Sequence, residues 1–184
     1  MKWHTLGVAL VLAVALFTSA CGELLSVEPL ATDNNTTFDP ALLGVWADVD
    51  GSHSVVIYVG EGEKHAYDIL WVDTKDHDTT RLEARLVHIG GQRILDLSDK
   101  SNGVFSIRGH ALAYVSNLEN GLELQFLDSK WLQQKVQQNQ LLAHSQLEGH
   151  PLITGTTAQL QDFVVQFGLN EQARSEPISL RRLK

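Results

Sequence analysis

Apolar residues recur at every second position along most of the chain from residue 44 onward, a period typical of β-strands with one buried face. Turn dipeptides such as Asp50-Gly51, Gly90-Gly91 and Asn120-Gly121 separate the alternating runs. The pattern predicts seven consecutive strands and an eighth near the C-terminus, and the short connections make antiparallel pairing the expectation. The runs cover residues 45–49, 55–59, 67–71, 82–88, 94–97, 105–115, 122–126 and 178–183.

The pattern changes late in the chain, where two segments carry apolar residues at helical spacing. Asp128 or Ser129 can cap a first helix, whose buried side carries Trp131, Leu132, Val136 and Leu142. Residues 156–159 form a capping box for a second helix, whose apolar stripe consists of Leu160, Phe163, Val164 and Phe167. We therefore predict a mainly β domain with two late helices, whose strands form an eight-stranded antiparallel barrel or a strongly curved sheet.

The first twenty residues have the three parts of a secretory signal peptide. Lys2 gives a positive start, residues 6–17 are apolar without interruption, and Thr18-Ser19-Ala20 is a small-residue cleavage region. The apolar run is shorter than the ~20 residues that a membrane-spanning helix needs. Two other interpretations of this segment stay open. It is either an ordinary secretory signal that Cys21 follows by chance, or an anchor that is not cleaved.

The motif Thr18-Ser19-Ala20-Cys21 resembles the lipobox of bacterial lipoproteins, whose cysteine is diacylated and becomes the mature N-terminus. The resemblance implies that Cys21 anchors an exported protein to a membrane, because two acyl chains anchor stably where one binds reversibly. Gly22 stands where Asp would be expected for retention, which implies the outer membrane if the cell has one. We expect a signal peptide over 1–20, a lipidated N-terminus and flexible tether over 21–40, and the β domain over 41–184.

The first predicted strand begins with Leu43-Gly44-Val45-Trp46, which resembles the Gly-x-Trp signature of lipocalins. In that family a short helical turn precedes the motif, and the tryptophan closes the barrel base beneath a late arginine. Asp39-Pro40 can supply the turn. The resemblance implies a lipocalin-like barrel in which Gly44 and Trp46 are structural. It also implies a cation–π contact on Trp46 from Arg181 or Arg182, and we assign this role to Arg181.

Four segments resemble a set of uncharacterised bacterial lipoproteins of about this length. They are Gly44-Val45-Trp46, Leu95-Asp96-Leu97, Asp128-Ser129-Lys130-Trp131-Leu132 and Leu152-Ile153-Thr154-Gly155-Thr156-Thr157. The resemblance spans nearly the whole mature chain and implies a fold and a membrane location without a known activity.

Composition and motifs exclude several classes of function for this chain. A formal net charge of -8 argues against nucleic-acid binding, which depends on a surplus of Lys and Arg. One cysteine excludes an internal disulfide and a cysteine-based metal site. We find no motif of a known catalytic class and predict no enzyme, cofactor or metal.

His77, between Asp76 and Asp78, is the best metal candidate among the histidines, and we interpret it as part of a solvated turn. We interpret His88 and His110 as core or surface histidines.

Tyr67, Ile69 and Trp71 share one face of a predicted strand. Aromatic side chains with a hydroxyl or an indole N–H can line an apolar pocket and orient a ligand. The resulting hypothesis is a membrane-anchored lipoprotein that binds a small apolar molecule or a lipid acyl chain in its barrel, with Tyr67 and Trp71 at the ligand. The alternative is a structural or accessory interaction subunit of an envelope complex, with a filled barrel and no ligand.

Overall fold

The computed structural model describes residues 25–100, 109–118, 121–138, 143–147 and 150–183. The predicted signal peptide and Cys21 lie outside the described residues, as do the first part of the strand predicted over 105–115 and Leu142 of the first predicted helix.

Eight strands close into an antiparallel barrel, which confirms the mainly β prediction. Strands β2 to β8 pair in chain order, and β11 lies between β8 and β2 and closes the ring. The strands are β1 (Thr36–Thr37), β2 (Gly44–Asp48), β3 (Val55–Glu61), β4 (Tyr67–Asp73), β5 (Asp78–Ile89), β6 (Gln92–Asp99), β7 (His110–Leu118), β8 (Gly121–Phe126), β9 (His144–Leu147), β10 (His150–Ile153) and β11 (Ile178–Arg182).

The connection between β8 and β11 contains both predicted helices, α1 (Ser129–Gln137) and α2 (Thr157–Phe163). Asp128 caps α1, and the predicted capping box of Thr156 and Gln159 is present at α2. Beyond α2 the chain widens into a π-helical turn over Val164–Gly168. The hairpin of β9 and β10 between the two helices is absent from the sequence prediction, as is β1, which pairs with β5.

Two separate cores result from the alternation of side chains along the strands. The inward residues of the eight barrel strands form the first core, with Trp46, Tyr67 and Trp71 as its largest members. The second core lies outside the barrel, where α1, α2 and β10 cover the outward residues of β6 and β7. Those outward residues are Ile94, Leu112 and Tyr114, which we call the covered face.

Residues 25–31, the N-terminal strap, also lie on the covered face. The backbone N–H groups of Leu25 and Ser26 donate to the carbonyl of His110, whose own N–H donates back to Ser26 at 2.8 Å. The carbonyl of Leu25 accepts from Ile153 at 2.8 Å, and the side chain of Leu30 is buried in the second core. The segment that the sequence places in the tether is thus bound to the barrel from residue 25 on.

Candidate functional site

The base of the barrel is built around Trp46, as the Gly-x-Trp resemblance implies. Its indole N–H donates to the carbonyl of Leu42 at 2.9 Å, in the one-turn 3₁₀ helix Pro40–Leu42 that precedes β2. The guanidinium carbon of Arg182 lies 4.4 Å from the centre of the Trp46 ring. The same guanidinium donates to the carbonyls of Leu43 and Ala41, at 2.8 and 2.6 Å. These contacts tie the first and last barrel strands to the entering turn.

The arginine on the Trp46 ring is Arg182 and not Arg181, to which we assigned the role. Side chains alternate along a strand, so Arg182 shares the inward face of β11 with Ile178 and Leu180, while Arg181 points outward. Gly44 is required by the same arrangement. Its φ is +134°, and a Cβ there would lie 2.9 Å from a guanidinium nitrogen of Arg182.

The two predicted ligand-binding residues, Tyr67 and Trp71, both point into the barrel and are buried. The Tyr67 hydroxyl accepts from the N–H of Asp39 at 2.7 Å, and the Tyr67 ring stacks on Phe38 with ring centres 5.0 Å apart. Burial raises the pKa of Tyr67. Trp71 meets Phe126 edge to face at 6.0 Å. Protein groups therefore already contact the Tyr67 hydroxyl and the Trp71 ring.

The space left inside the barrel is about 30 Å³ and its lining is apolar, formed by residues such as Trp46, Tyr67, Trp71 and Leu124. Room for one water begins at roughly 10–15 Å³ on such a measure, whereas pockets for small organic ligands are ~300–1,000 Å³. In this conformation the barrel interior is filled by its own side chains.

A pair formed by a buried carboxylate and a partly buried imidazole lies on the outside of the barrel. One carboxylate oxygen of Asp96 is 2.7 Å from Nδ1 of His110, and the other accepts the N–H of Ala31 in the strap at 2.8 Å. The Asp96 side chain is 2% exposed. A polar groove of about 350 Å³ adjoins the pair and is lined by Pro29, Ala31, Glu83, Arg85, Asp96, Ser98 and His110.

One oxygen of Asp96 bonds to His110 in β7 and the other to Ala31 in the strap, so the Asp96 carboxylate clamps the strap to the barrel. An unpaired buried carboxylate is costly, and two hydrogen bonds offset that cost. Sequence reasoning assigned no role to this pair. The available signal was an acidic residue, Asp96, between the apolar residues Leu95 and Leu97, at a position where alternation turns the side chain away from the barrel interior.

The acidic loops at the far ends of the strands are held by their own hydrogen bonds. Asp48, Asp50 and His53 offer ligand atoms within 4.8 Å of one another. Asp48 accepts the N–H groups of His53 and Ser54 at 2.6 and 3.2 Å. Hydrogen bonds from Ser52 lower the pKa of Asp50. His77 lies in the exposed turn between β4 and β5 with a φ of +58°.

Comparisons with protein-family models, with curated proteins and with solved structures found no match to this chain. Among the described residues, none of the helices has the length and apolar character that crossing a bilayer requires.

Proposed function

We propose that this protein is an exported lipoprotein, anchored through diacylated Cys21, whose barrel is a filled scaffold that serves as a structural or interaction subunit at the membrane. The observation that carries the proposal is the barrel interior, where about 30 Å³ remains between the core side chains. A ligand-carrying barrel needs roughly ten times that space. Of the two functions that the sequence leaves open, the filled interior favours the interaction subunit.

The N-terminal strap determines how an anchor at Cys21 would hold the barrel. Leu25 is hydrogen-bonded to both His110 and Ile153, and Cys21 precedes it by four residues. Four residues span at most ~14 Å. An anchor at Cys21 would therefore hold the barrel close to the membrane surface, with the β7 side nearest to the attachment point. The absence of Asp after Cys21 favours the outer membrane in a cell that has one.

The experiment is to follow labelled fatty acid in cells that produce the full chain. Cys21→Ser should abolish the label and release the protein from the membrane fraction, whereas Ser19→Ala, which keeps a small residue and the cysteine, should retain both. An acylated Cys21→Ser variant, or a mature wild-type protein that still carries residues 1–20, contradicts the proposal.

A further inference from the structure

The outer surface of β2, β3 and β4 is apolar and has nothing over it among the described residues. Two cross-strand rows make up this surface: Val45 aligns with Tyr58 and Leu70, and Ala47 aligns with Val56 and Val72. Leu183 extends the first row, since its N–H donates to the carbonyl of Val45, and Val49 lies two residues beyond Ala47, where its N–H donates to the carbonyl of Ser179. We call this surface the bare face; its residues are Val45, Ala47, Val49, Val56, Tyr58, Leu70, Val72 and Leu183.

The bare face concentrates the exposed apolar side chains of the described residues. Tyr58 is 53% exposed and Val49 is 55% exposed. Together with Leu183 they are three of the four large apolar residues that are exposed in the described part of the chain. The neighbouring outward positions are polar, with Asp68 on β4, Arg81 and Glu83 on β5, and Ser179 and Arg181 on β11. A contiguous apolar patch with a polar rim is typical of a protein or membrane contact site.

Two arginines border the bare face, one on each side. Arg81 on β5 is the cross-strand partner of Leu70, and Arg181 on β11 is the partner of Ala47. Both side chains are exposed, and neither has a carboxylate within ion-pair distance among the described residues. No acidic residue stands in either row between them. Two carboxylates also border the face on the Arg81 side, Asp68 and Glu83. They are paired with Lys100 and Arg85, respectively, so the unpaired charges that the described residues place at the border are those of the two arginines.

The unpaired charges at the border favour an acidic partner over a second copy of this chain as the occupant of the bare face. A two-fold interface brings the same surface of both copies together. When the two-fold axis passes through the middle of the face, the unpaired arginines of one copy lie against those of the other, and the carboxylates at the border are already paired with Lys100 and Arg85. Like charges placed together in an interface weaken binding.

The position of the chain's N-terminal end argues against the protein's own membrane as the occupant, and this step rests on the proposed function. The strap joins the barrel at His110 in β7. In the ring of eight strands, β3 is four strands from β7 in either direction, which places the bare face diametrically opposite. A link of at most ~14 Å from Cys21 to Leu25 cannot bring the bilayer around the barrel, so the bare face points away from it.

We infer that the bare face docks a partner protein whose contact surface has an apolar centre flanked on both sides by Asp or Glu side chains. Tyr58, at the middle of one row, is the central apolar contact, since aromatic residues at the centre of a patch contribute most to interfaces. Arg81 and Arg181 select the partner by pairing with its carboxylates. Arginine suits this role because its planar fork bonds a carboxylate through two N–H groups.

The test is photo-crosslinking in cells that make the full chain, with benzoylphenylalanine in place of Tyr58. The matched control has the same probe in place of Val165, which is equally exposed at 54% but lies beyond α2, far from β3 along the chain and outside the bare face. The Tyr58 probe should crosslink one protein, at a segment containing Asp or Glu, and the Val165 probe should not. Adding Arg81→Glu and Arg181→Glu should reduce the crosslinked fraction at least tenfold, and Arg81→Lys with Arg181→Lys should change it less than threefold.

Four results would overturn the inference: no adduct at Tyr58, a lipid adduct, an adduct with another copy of this chain, or a protein adduct that is insensitive to the charge reversals. The melting temperature of each purified full-length variant must match that of wild type, so that loss of the fold is not counted as loss of contact. Fatty-acid labelling of the same cells separates the two proposals. Labelled protein without a crosslink contradicts the docking surface alone, and a charge-dependent crosslink without label contradicts the anchor alone.

Discussion

The two opposite outer faces of the barrel carry similar side chains and differ in what lies over them. On the covered face, Ile94, Leu112 and Tyr114 are at most 3% exposed beneath α1, α2, β10 and the strap. On the bare face, Tyr58 is 53% exposed. Apolar residues on the outside of a barrel therefore do not identify a free surface by themselves, because the chain itself covers one of the two faces.

The difference separates residues that stabilise the fold from residues available for contact. Burying an apolar side chain contributes free energy only where water is removed. The covered face should therefore be sensitive to truncation in the isolated protein. The bare face should be nearly neutral there and sensitive only where a partner binds.

Phe163→Ala should give the largest effect on the covered side. Phe163 is 2% exposed and contacts the rings of Trp131 and Phe167, with ring centres 5.9 and 5.5 Å away. Truncation of a buried Phe costs ~3–5 kcal/mol in unfolding free energy. Denaturant unfolding measures this loss. The control is Val165→Ala at an exposed position two residues away, which should change the unfolding free energy by no more than about 0.5 kcal/mol. Equal effects at the two positions would contradict the burial of Phe163 in the second core.

Asp96→Ala should loosen the strap. The change leaves the Ala31 N–H and the His110 imidazole without their partner, and an unsatisfied buried group costs ~1–3 kcal/mol. Hydrogen exchange should show that the Ala31 amide loses protection while the barrel amides keep theirs. Asp33→Ala is the control, since its side chain is 94% exposed and, among the described residues, forms only a surface ion pair with Arg85. An unchanged Ala31 amide would mean that Asp96 does not clamp the strap.

Tyr114→Phe tests the covered face through pH. The Tyr114 hydroxyl donates to the carbonyl of Gly168, and burial raises its pKa to about 12 from the ordinary value of 10.0. The folded state thus favours the neutral phenol, and the stability from this residue is complete below pH 10 and is lost as the pH rises toward 12. Wild type should exceed the variant by ~1 kcal/mol at neutral pH. The gap should narrow above pH 10; a constant gap would mean that Tyr114 titrates normally.

Tyr58→Ser should have the smallest effect in the isolated protein, within about 0.5 kcal/mol in unfolding free energy, because the side chain is largely exposed. Thermal unfolding of the purified variant measures it. A loss of 2 kcal/mol or more would show that the bare face contributes to the fold rather than to a contact.

The barrel could be predicted from the sequence because its signal is local. Period-two runs and turn dipeptides specify strand faces, and Gly44 with Trp46 marks the first strand. The choice between Arg181 and Arg182 depends on the register of β11 against β2, which neighbouring residues do not reveal. The roles of Asp96 and His110 depend on the strap, whose bonds to β7 join positions more than 80 residues apart. The β9–β10 hairpin was missed because 144–147 contains a single apolar residue among polar ones.

The most direct test of the account is the binding of apolar probes to the Cys21→Ser protein, with and without Trp71→Ala. Benzene and decanoic acid are titrated calorimetrically, and circular dichroism verifies that both proteins are folded. A filled barrel predicts no saturable binding in the parent and new benzene binding in the Trp71→Ala variant, because an apolar cavity of sufficient size takes up such molecules. Saturable binding to the parent that Trp71→Ala abolishes would contradict the account and establish the barrel as a ligand carrier.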